Sequence, residues 1–383
     1  MSRFSRRSSF RLSLAAAASA LVVTGLAGFG ATAAHAAASL SSIITTPDQE
    51  LASAYSVTPS PTQNIQAISA YESDQVIFAF ADSQSYVNIT DPDSEINLPR
   101  AVAFSPDGST AYVANYGSDK VAIIDVATRA VVDSFSAYED QMTAIAVSPD
   151  GSRIVVVDDY SRVTVYDSTD NFAQVWSTGV ARYGYIKVFF TNDSQVLIAS
   201  MTADVTTLDI SNNTGVNFWD NQDSGGAGIC ISADLSELIW VSGNFISVVD
   251  SETGVTLRQA AIPAGSDFKT CTVTNMGKLL IADASADSSN LFIVNLEDLT
   301  LDQALSLPGQ AKGNGVSVSR ECIAFVAGLE TNVSLISLTD DICAKPAVAL
   351  ADTGVDIAAV GWMLGGGFAL LAAGALLVIR RRA

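Results

Sequence analysis

The stretch Ala101-Val-Ala-Phe-Ser-Pro-Asp-Gly108 recurs as Ala144-Ile-Ala-Val-Ser-Pro-Asp-Gly151, and this repetition predicts the fold. Fainter copies follow at residues 187–193, 229–234 and 270–275. The turn aspartates of successive copies are spaced by 43, 43 and 41 residues, at Asp107, Asp150, Asp193 and Asp234. A period of this size, with several short strands in each unit, is typical of β-propellers.

Each unit repeats the same order of strands and turns. An apolar strand, Val102–Phe104, leads into the Ser-Pro-Asp-Gly turn, where proline presets φ and glycine completes the turn. Further strands are predicted at 111–114, 121–125 and 131–135, which makes four strands per blade. The third strand ends in a residue that we interpret as a cap of the following turn rather than as a site. In successive units this residue is Asp125, Asp167, Asp209, Asp250 or Asn295.

The number of inner strands gives the number of blades. We predict inner strands around 66–70, 101–105, 144–148, 186–190, 228–232, 270–274 and 315–319. The last unit has no fourth strand before residue 341, so 41–45 or 51–57 is expected to supply it. Closing the ring in this way removes the exposed edges of the sheet. The predicted fold class is therefore an all-β, seven-bladed propeller, with six or eight blades as alternatives.

One unit carries a family resemblance. Ala111-Tyr-Val-Ala-Asn115, followed by Lys120-Val-Ala-Ile-Ile-Asp125 and Ala127-Thr-Arg-Ala-Val-Val132, resembles the Tyr-Val-Thr-Asn repeat of bacterial and archaeal surface-layer and periplasmic propellers. The resemblance is close over 98–140 and weaker in the other units. It implies a propeller in an extracytoplasmic setting and indicates little about the ligand, because propellers have many unrelated functions.

The C-terminal segment has the order of a surface anchor. Leu350-Ala351-Asp352-Thr353-Gly354 precedes an apolar run at 357–379, and Arg380-Arg381-Arg382 follows that run. A bilayer core needs about 20 residues of helix, and the arginines fit the cytoplasmic side. We therefore predict a transmembrane helix and a basic cytoplasmic tail over 355–383.

This order resembles the sorting signals of sortase substrates in Gram-positive bacteria, with alanine where Leu-Pro-x-Thr-Gly has proline, as in an actinobacterial variant. The resemblance implies cleavage between Thr353 and Gly354 and attachment of Thr353 to an amine of the cell wall. Sortase and peptidoglycan or another wall polymer are then the expected partners, and the membrane holds the helix before processing. An uncleaved single-pass anchor is the alternative. Both place the protein on the cell surface.

The N-terminal end, residues 1–36, is predicted to be a signal peptide. Four arginines precede an apolar stretch at 12–29, and Ala34-His35-Ala36 forms a cleavage site. This leaves 37–342 as the propeller domain and 343–349 as a short linker before the motif. The ten residues 344–353 span at most about 35 Å. We therefore expect the propeller to lie close to the membrane or within the wall.

The composition excludes several functions. Removing both predicted end segments lowers Lys+Arg from 20 to 13 and Asp+Glu from 40 to 39, leaving a net charge of about −26. Such a chain is not expected to bind nucleic acid. The single histidine, His35, lies in the signal peptide, which excludes Ser-His-Asp catalysis and imidazole ligands from the mature protein.

No catalytic motif appears, so we predict no catalytic residue. The favoured function is a non-enzymatic binding, envelope or scaffold protein. The alternative is an extracellular polysaccharide hydrolase or lyase that uses carboxylate and tyrosine chemistry.

Four cysteines in an oxidising compartment predict two disulfides, with three possible connectivities. We favour Cys322–Cys343 and Cys230–Cys271.

The candidate ligand residues are polar and aromatic residues of the loops, namely Tyr116, Asp159, Tyr160 and Tyr183. Tyrosines beside carboxylates can stack on sugar rings and bond hydroxyls, although packing between blades is the alternative. The acidic segment 91–95 has oxygen ligands suited to a hard cation, but it lacks the glycine and the final acid of an EF-hand loop. We interpret it as a charged surface turn. No metal site and no cofactor are predicted, and weak calcium binding stays open.

Overall fold

Seven four-stranded antiparallel sheets make up the described part of the chain in the computed structural model. The structure describes residues 38–45, 53–137, 141–180, 186–202, 204–220, 228–262, 268–283, 289–307, 313–328 and 332–345. Most inner strands pack beside the inner strand of the next blade, and blades 4 and 5 share a core cluster that includes Leu197 and Trp240, so the sheets form a ring. The prediction of an all-β, seven-bladed propeller with four-stranded blades is confirmed.

The strands of the first three blades follow the chain from the inside of the ring to the outside. Blade 1 contains β2 (Ala54–Pro59), β3 (Ile65–Ala70), β4 (Gln75–Phe80) and β5 (Ser85–Asn88). Blade 2 contains β6 (Pro99–Phe104), β7 (Thr110–Asn115), β8 (Lys120–Asp125) and β9 (Ala130–Ser136). Blade 3 contains β10 (Met142–Val147), β11 (Arg153–Asp158), β12 (Arg162–Asp167) and β13 (Ala173–Gly179).

The next three blades have the same order. Blade 4 contains β14 (Ile186–Asn192), β15 (Gln195–Ser200), β16 (Asp204–Asp209) and β17 (Thr214–Asp220). Blade 5 contains β18 (Gly228–Ile231), β19 (Glu237–Ser242), β20 (Phe245–Asp250) and β21 (Thr256–Ala261). Blade 6 contains β22 (Phe268–Val273), β23 (Lys278–Asp283), β24 (Ser289–Asn295) and β25 (Leu301–Leu307).

Blade 7 joins the two ends of the described chain. Its inner strands are β26 (Gly313–Val318), β27 (Ile323–Gly328) and β28 (Asn332–Ser337), and its outer strand is β1 (Ser39–Thr45). Strand β1 pairs antiparallel with β28, with Ser39 opposite Ser337 and Thr45 opposite Asn332. The predicted closure by residues 41–45 is therefore confirmed.

One strand assignment from the sequence is wrong. Residues 66–70, predicted as the first inner strand, belong to β3, the second strand of blade 1. The inner strand is β2, which contains most of the segment 51–57 that was the second candidate for the closing strand. The turn after β2 is Ser60-Pro61-Thr62-Gln63-Asn64 and lacks the Ser-Pro-Asp-Gly sequence found in blades 2 and 3.

The core lies between the blades. The cluster between blades 1 and 2, for example, contains the buried side chains of Phe78, Phe104, Val113 and Ile124. A hydrogen bond also crosses one of these interfaces: the indole N–H of Trp240 donates to the Ser200 carbonyl of the preceding blade at 3.0 Å. Burying apolar surface at about 25 cal/mol per Å² stabilises each interface, so neighbouring blades depend on one another.

The two faces of the ring carry different connections, because successive antiparallel strands reverse direction. We call the face with the first-to-second and third-to-fourth strand turns the turn face. The opposite face carries the second-to-third hairpins and the connections between blades, and we call it the open face. Both ends of the described chain lie on the turn face, since β1 begins there and Ala344 bonds to Asn275 in a first-to-second strand turn of blade 6.

The repeated residues of the turn face satisfy their own turns. Asp107 accepts hydrogen bonds from the Ser105 hydroxyl at 2.6 Å and the Ser109 amide at 3.0 Å. These bonds, that of Ser105 first, lower the pKa of Asp107 to about 2. Asp234 has the equivalent bonds with Ser232 and Ser236, and its pKa is also about 2.

The interpretation of the third-strand aspartates as caps is confirmed. Asp125 accepts the Thr128 amide at 2.7 Å, and Asp250 accepts the Thr253 amide at 2.7 Å. Asp167, Asp209 and Asn295 accept amides from their own turns in the same way. A carboxylate repeated at one register is therefore part of the turn chemistry of each blade.

Both predicted disulfides are present. Cys230 on β18 is bonded to Cys271 on β22, with their Cα atoms 5.7 Å apart, and this bond joins the inner strands of blades 5 and 6. Cys322 is bonded to Cys343, with Cα atoms 5.5 Å apart, and this bond fastens the segment after β28 to a turn of blade 7. Two disulfides fit an extracellular or otherwise oxidising environment.

Candidate ligand-binding site

The inner strands approach the open face through β-bulges. The pairing between first and second strands shifts near the start of the first strand in blades 1, 2, 3, 6 and 7. In blades 1, 2, 3 and 6 the unpaired residues are Tyr55, Arg100, Thr143 and Lys269. A bulge leaves its residue unpaired and redirects its side chain. All four residues line the central channel, so the bulges place a set of side chains that differ from blade to blade around its mouth.

Four of the side chains near this mouth form what we call the Tyr–Arg cluster: Tyr55, Tyr71, Arg100 and Tyr116. The carbon at the centre of the Arg100 guanidinium lies 4.7 Å from the ring centroid of Tyr55 and 4.6 Å from that of Tyr116. The guanidinium also donates a hydrogen bond of 3.0 Å to the Tyr55 hydroxyl. Tyr71 lies between the other two rings, 5.3 Å from Tyr55 and 5.9 Å from Tyr116 between centroids.

Local structure explains how these four residues meet. Tyr55 and Arg100 are the bulge residues of β2 and β6, the inner strands of adjacent blades. Tyr71 and Tyr116 directly follow the second strands of the same two blades. Blade 1 thus contributes Tyr55 and Tyr71, and blade 2 contributes Arg100 and Tyr116 from the equivalent positions. The packing of blade 1 on blade 2 brings these residues together.

The electrostatics of the cluster favour a fixed cation on a partly exposed aromatic surface. Burial raises the pKa of Tyr71 above its ordinary value, while the nearby positive charge of Arg100 acts in the opposite direction. All four side chains keep partial exposure. Tyrosine and arginine are enriched among the residues that dominate binding energy at protein interfaces, because they combine apolar area with directed hydrogen bonds.

Two of the predicted ligand residues do meet at this face. The Tyr116 hydroxyl lies 3.4 Å from Oδ2 of Asp159 and 3.2 Å from Oε1 of Gln141, and it donates to these acceptors. Tyr160 is 62% exposed at the next hairpin, and its ring is outside the cluster contacts. Tyr183 lies outside the described residues. The structure thus extends the predicted pair Tyr116 and Asp159 with Tyr55, Tyr71 and Arg100, which the sequence argument missed.

A sequence signal for the missed residues exists. Arg100 follows Tyr55 by 45 residues, and Tyr116 follows Tyr71 by the same interval. Aligning blade 1 with blade 2 at that spacing would have placed both pairs at matching positions. That alignment requires β2 to be recognised as an inner strand. The turn after β2 has no glycine, so the strand was not recognised.

Other polar residues of this face have structural functions. Asn115, the last residue of the Ala-Tyr-Val-Ala-Asn motif, is fully buried and donates to the carbonyls of Glu95 and Lys120 at 2.9 and 2.8 Å. Asp158 is also buried and accepts the amides of Tyr160 and Arg162. Burial raises the pKa of Asp158, and the two backbone bonds partly offset that effect.

The acidic segment 91–95 uses its carboxylates within the protein. The two oxygens of Asp91 accept the amides of Glu95 and Ile96, at 3.0 and 2.8 Å. Glu95 forms an ion pair of 2.8 Å with Lys120, and that hydrogen bond is the main reason for its lowered pKa. These contacts favour the surface-turn interpretation. Within the described ranges, no group of three or more His, Cys, Asp or Glu residues is placed to hold a metal ion.

The anchoring segments fall outside the described residues. These are the predicted signal peptide 1–36, the motif Leu350–Gly354 and the apolar run 357–379. In the part of the chain that the structure does describe, no helix has the length and hydropathy of a membrane span.

Comparison with known proteins identifies the fold alone. No protein-family model matches the sequence, and no curated protein matches it. Among solved structures, a chain described as Kuenenia stuttgartiensis hydrazine synthase is similar, with a TM-score of 0.63 and 16% sequence identity. The match covers 76% of this chain and 97% of that chain. At this identity the likeness shows a shared propeller architecture, and function has to be argued from the site.

Proposed function

We propose that this protein is a non-enzymatic binding propeller of the cell surface, which uses the Tyr–Arg cluster to recognise a wall glycan or a protein. The observation that carries the proposal is the geometry of that cluster, in which a guanidinium is held between two tyrosine rings on a partly exposed surface. Tyrosine rings stack on flat ligand surfaces, while Arg100 and the phenol groups provide directed hydrogen bonds.

The location of the chain ends supports an outward orientation of this site. The last described residues are fixed to the turn face, where Thr274 donates to the Ile342 carbonyl at 2.6 Å and Cys343 is bonded to Cys322. Thr353 is the eighth residue after Lys345, so the two are at most about 29 Å apart. An anchor at Thr353, or an uncleaved helix after it, would hold the turn face toward the membrane and leave the open face directed away.

The cell-surface setting itself remains a proposal that the sequence supports. The motif Leu350–Gly354 resembles a sortase signal, residues 1–36 have the pattern of a signal peptide, and the disulfides fit an oxidising compartment. Sortase and a wall polymer are accordingly the proposed anchoring partners. Mass spectrometry of protein released from the wall tests this point. A C-terminal Thr353 joined to a wall fragment supports sorting, and a chain intact through Arg382 contradicts it.

The binding proposal is tested with the full-length protein, purified in detergent, against purified cell wall, defined glycans and extracellular proteins. Arg100→Met should weaken binding at least about tenfold, because it removes a central charged contact and its hydrogen bonds. Arg320→Met is the matched control, since Arg320 is exposed on the turn face and donates to the Thr62 carbonyl. Equal affinity of the two variants would contradict the proposal. Product release from any glycan would instead favour the hydrolase or lyase alternative.

An orientation test separates the two faces on intact cells. A short epitope inserted after Gly117, in a hairpin of the open face, should bind antibody better than the same epitope inserted after Glu252, in a turn of the opposite face. The comparison controls for wall permeability, because both epitopes reside on the same protein. Stronger labelling at Glu252 would contradict the proposed orientation.

A further inference from the structure

The seven inner strands have one equivalent position at which blade 4 departs from the others. At this position the residue pairs with the penultimate residue of the second strand. In order of blades, the residues are Ser56, Ala101, Ala144, Lys187, Gly228, Thr270 and Gly315. Six of the seven are small and uncharged, and blade 4 alone has a long cationic side chain.

Steric contacts explain why small residues are favoured there. A Cβ atom added to Gly228 would lie 2.3 Å from Cγ2 of Val241 and 3.0 Å from backbone atoms of the adjacent blade. A Cβ atom added to Gly315 would lie 2.7 Å from Cγ2 of Val57. A side chain at this position therefore lies close to the inner strand of the next blade. The ring fold does not require a lysine at this position, and a small residue would serve.

Lys187 extends into the central channel. It lines both cavities of the channel, one of about 300 Å³ and one of about 530 Å³, together with Phe189 from its own strand. Residues of β2, including Tyr55 and Thr58, also line both cavities. The residues that line both cavities therefore come from strands β2 and β14, and Lys187 is the cation among them.

The ammonium group of Lys187 has no counter-charge in the described part of the chain. It makes no hydrogen bond and no ion pair there, and burial lowers its pKa from the ordinary 10.5. The described residues that line the two cavities include Arg100 and Lys269 but no aspartate or glutamate. A desolvated cation without a partner is unfavourable. In a chain with a net charge of −20, a channel whose charged lining residues, among those described, are all cationic is a local reversal of the overall charge.

Hydroxyl groups accompany this cation. Thr270 and Thr272 on β22 line the smaller cavity with Lys187, and within the described residues their hydroxyls make no hydrogen bond. Lysine and hydroxyl groups are donors suited to phosphate and carboxylate oxygens. A cavity of about 300 Å³ lies at the lower end of the range for small-molecule sites.

We propose that the central channel binds a small oxyanion, a phosphate or a carboxylate group, on the ammonium of Lys187. Thr270 and Thr272 supply further hydrogen bonds in the smaller cavity. Tyr55 and Arg100 of the Tyr–Arg cluster line the same channel. The anion is held by Lys187 and the two threonines rather than by the cluster, so either proposal can fail while the other holds.

The test measures equilibrium binding of inorganic phosphate and of acetate to the full-length protein at constant ionic strength in chloride. Wild-type protein should bind at least one of the two anions with a stoichiometry of one. Lys187→Met, which keeps the aliphatic stem, should weaken that affinity about tenfold or more. Lys345→Met, an exposed site with the same change of charge, should leave it unchanged. Preference for phosphate or for acetate identifies the class of anion.

Absence of saturable binding by both anions would overturn the proposal, and so would equal binding by Lys187→Met. A second measurement on unmodified protein covers the case in which that variant fails to fold. Acetylation of individual lysines is followed by mass spectrometry, with and without saturating anion. Protection of Lys187, with Lys345 unaffected, supports the site, and equal acetylation of Lys187 in both conditions contradicts it.

Discussion

The turn face and the open face of this propeller follow the sequence repeat to very different extents. On the turn face, Asp107, Asp150 and Asp234 occupy equivalent turns and each accepts hydrogen bonds from neighbouring serines. On the open face, the equivalent bulge residues of blades 1, 2 and 6 are a tyrosine, an arginine and a lysine. Repeated residues here stabilise each blade, whereas residues that differ between equivalent positions are the candidates for function.

The channel extends the same contrast into the centre of the ring. Six inner strands have a small residue where β14 has Lys187, and no hydrogen bond or ion pair of Lys187 in the described chain accounts for the change. Carboxylates of the turn face have lowered pKa values because hydrogen bonds stabilise their charge. Lys187 has a lowered pKa because burial destabilises its charge. The first arrangement is stabilising for the fold, and the second is unfavourable unless an anion binds.

The largest expected effect comes from the disulfides, one of which lies in the channel wall and the other on the turn face. Replacing Cys322 and Cys343 by serine should lower the free energy of unfolding by about 2–4 kcal/mol. Cys230 and Cys271 are 41 residues apart rather than 21, so their loss should be about 0.6 kcal/mol more severe. Urea unfolding of the two double variants measures both quantities. A negligible effect of either replacement would show that the closed ring does not need that bond.

A smaller effect is expected from the turn carboxylates. Asp234→Ala should lower the free energy of unfolding at neutral pH by about 1 kcal/mol, the range for a solvent-screened side-chain hydrogen bond. Because the folded-state pKa of Asp234 is about 2 rather than 3.8, its contribution is present above pH 3.8 and is lost as the pH falls through about 2. Unfolding of wild-type and variant should therefore converge in acid.

Asp93→Ala is the control for that experiment. Asp93 is an exposed carboxylate that makes no hydrogen bond within the described residues, so its removal should change stability little. If Asp93→Ala destabilised the protein as much as Asp234→Ala, the effect would come from net charge rather than from the turn.

Lys187→Met should have the opposite effect on the free energy of unfolding. In buffer without phosphate or carboxylates, removing a desolvated and unpaired charge should leave the free energy of unfolding unchanged or raise it by up to about 1 kcal/mol. Added phosphate should then stabilise wild-type protein more than the variant, since only a ligand that prefers the folded state stabilises it. Marked destabilisation by Lys187→Met would indicate that the lysine supports the fold, which would break the contrast between the faces.

The smallest effect on stability is expected at the Tyr–Arg cluster. Arg100→Met should change the free energy of unfolding by less than about 1 kcal/mol, because its aromatic contacts are partly solvated. The same variant is expected to lose partner binding. A stability loss as large as that of a disulfide would favour the alternative in which the tyrosines pack between blades for structural reasons.

Much of the fold could be predicted from sequence because its determinants are local. The Ser-Pro-Asp-Gly turns and the third-strand aspartates form hydrogen bonds between residues no more than five positions apart in the sequence. The period at which they recur predicts the number of blades. Blade 1 was misassigned because its turn after β2 uses neither the aspartate nor the glycine. The closure by β1 was predictable because the last unit lacked a strand.

The site was only partly predictable because it depends on contacts between blades. Tyr116 and Asp159 were identified from their loops, but Tyr55, Tyr71 and Arg100 meet only after blade 1 packs on blade 2. Lys187 could be found by aligning inner strands on their apolar residues Val102, Ile145 and Val188, which places it at the position of Ala101 and Ala144. The absence of a partner for its side chain becomes visible only in three dimensions.

The most direct test of the account is hydrogen exchange of the full-length protein with and without the wall or protein fraction that it binds. The account predicts protection in the open-face segments 53–56, 98–101, 115–120 and 141–143, with unchanged exchange in the turns 105–109, 148–152 and 232–236. Protection confined to those turns, or no bound fraction to test, would contradict the claim that departures from the repeat mark the functional face.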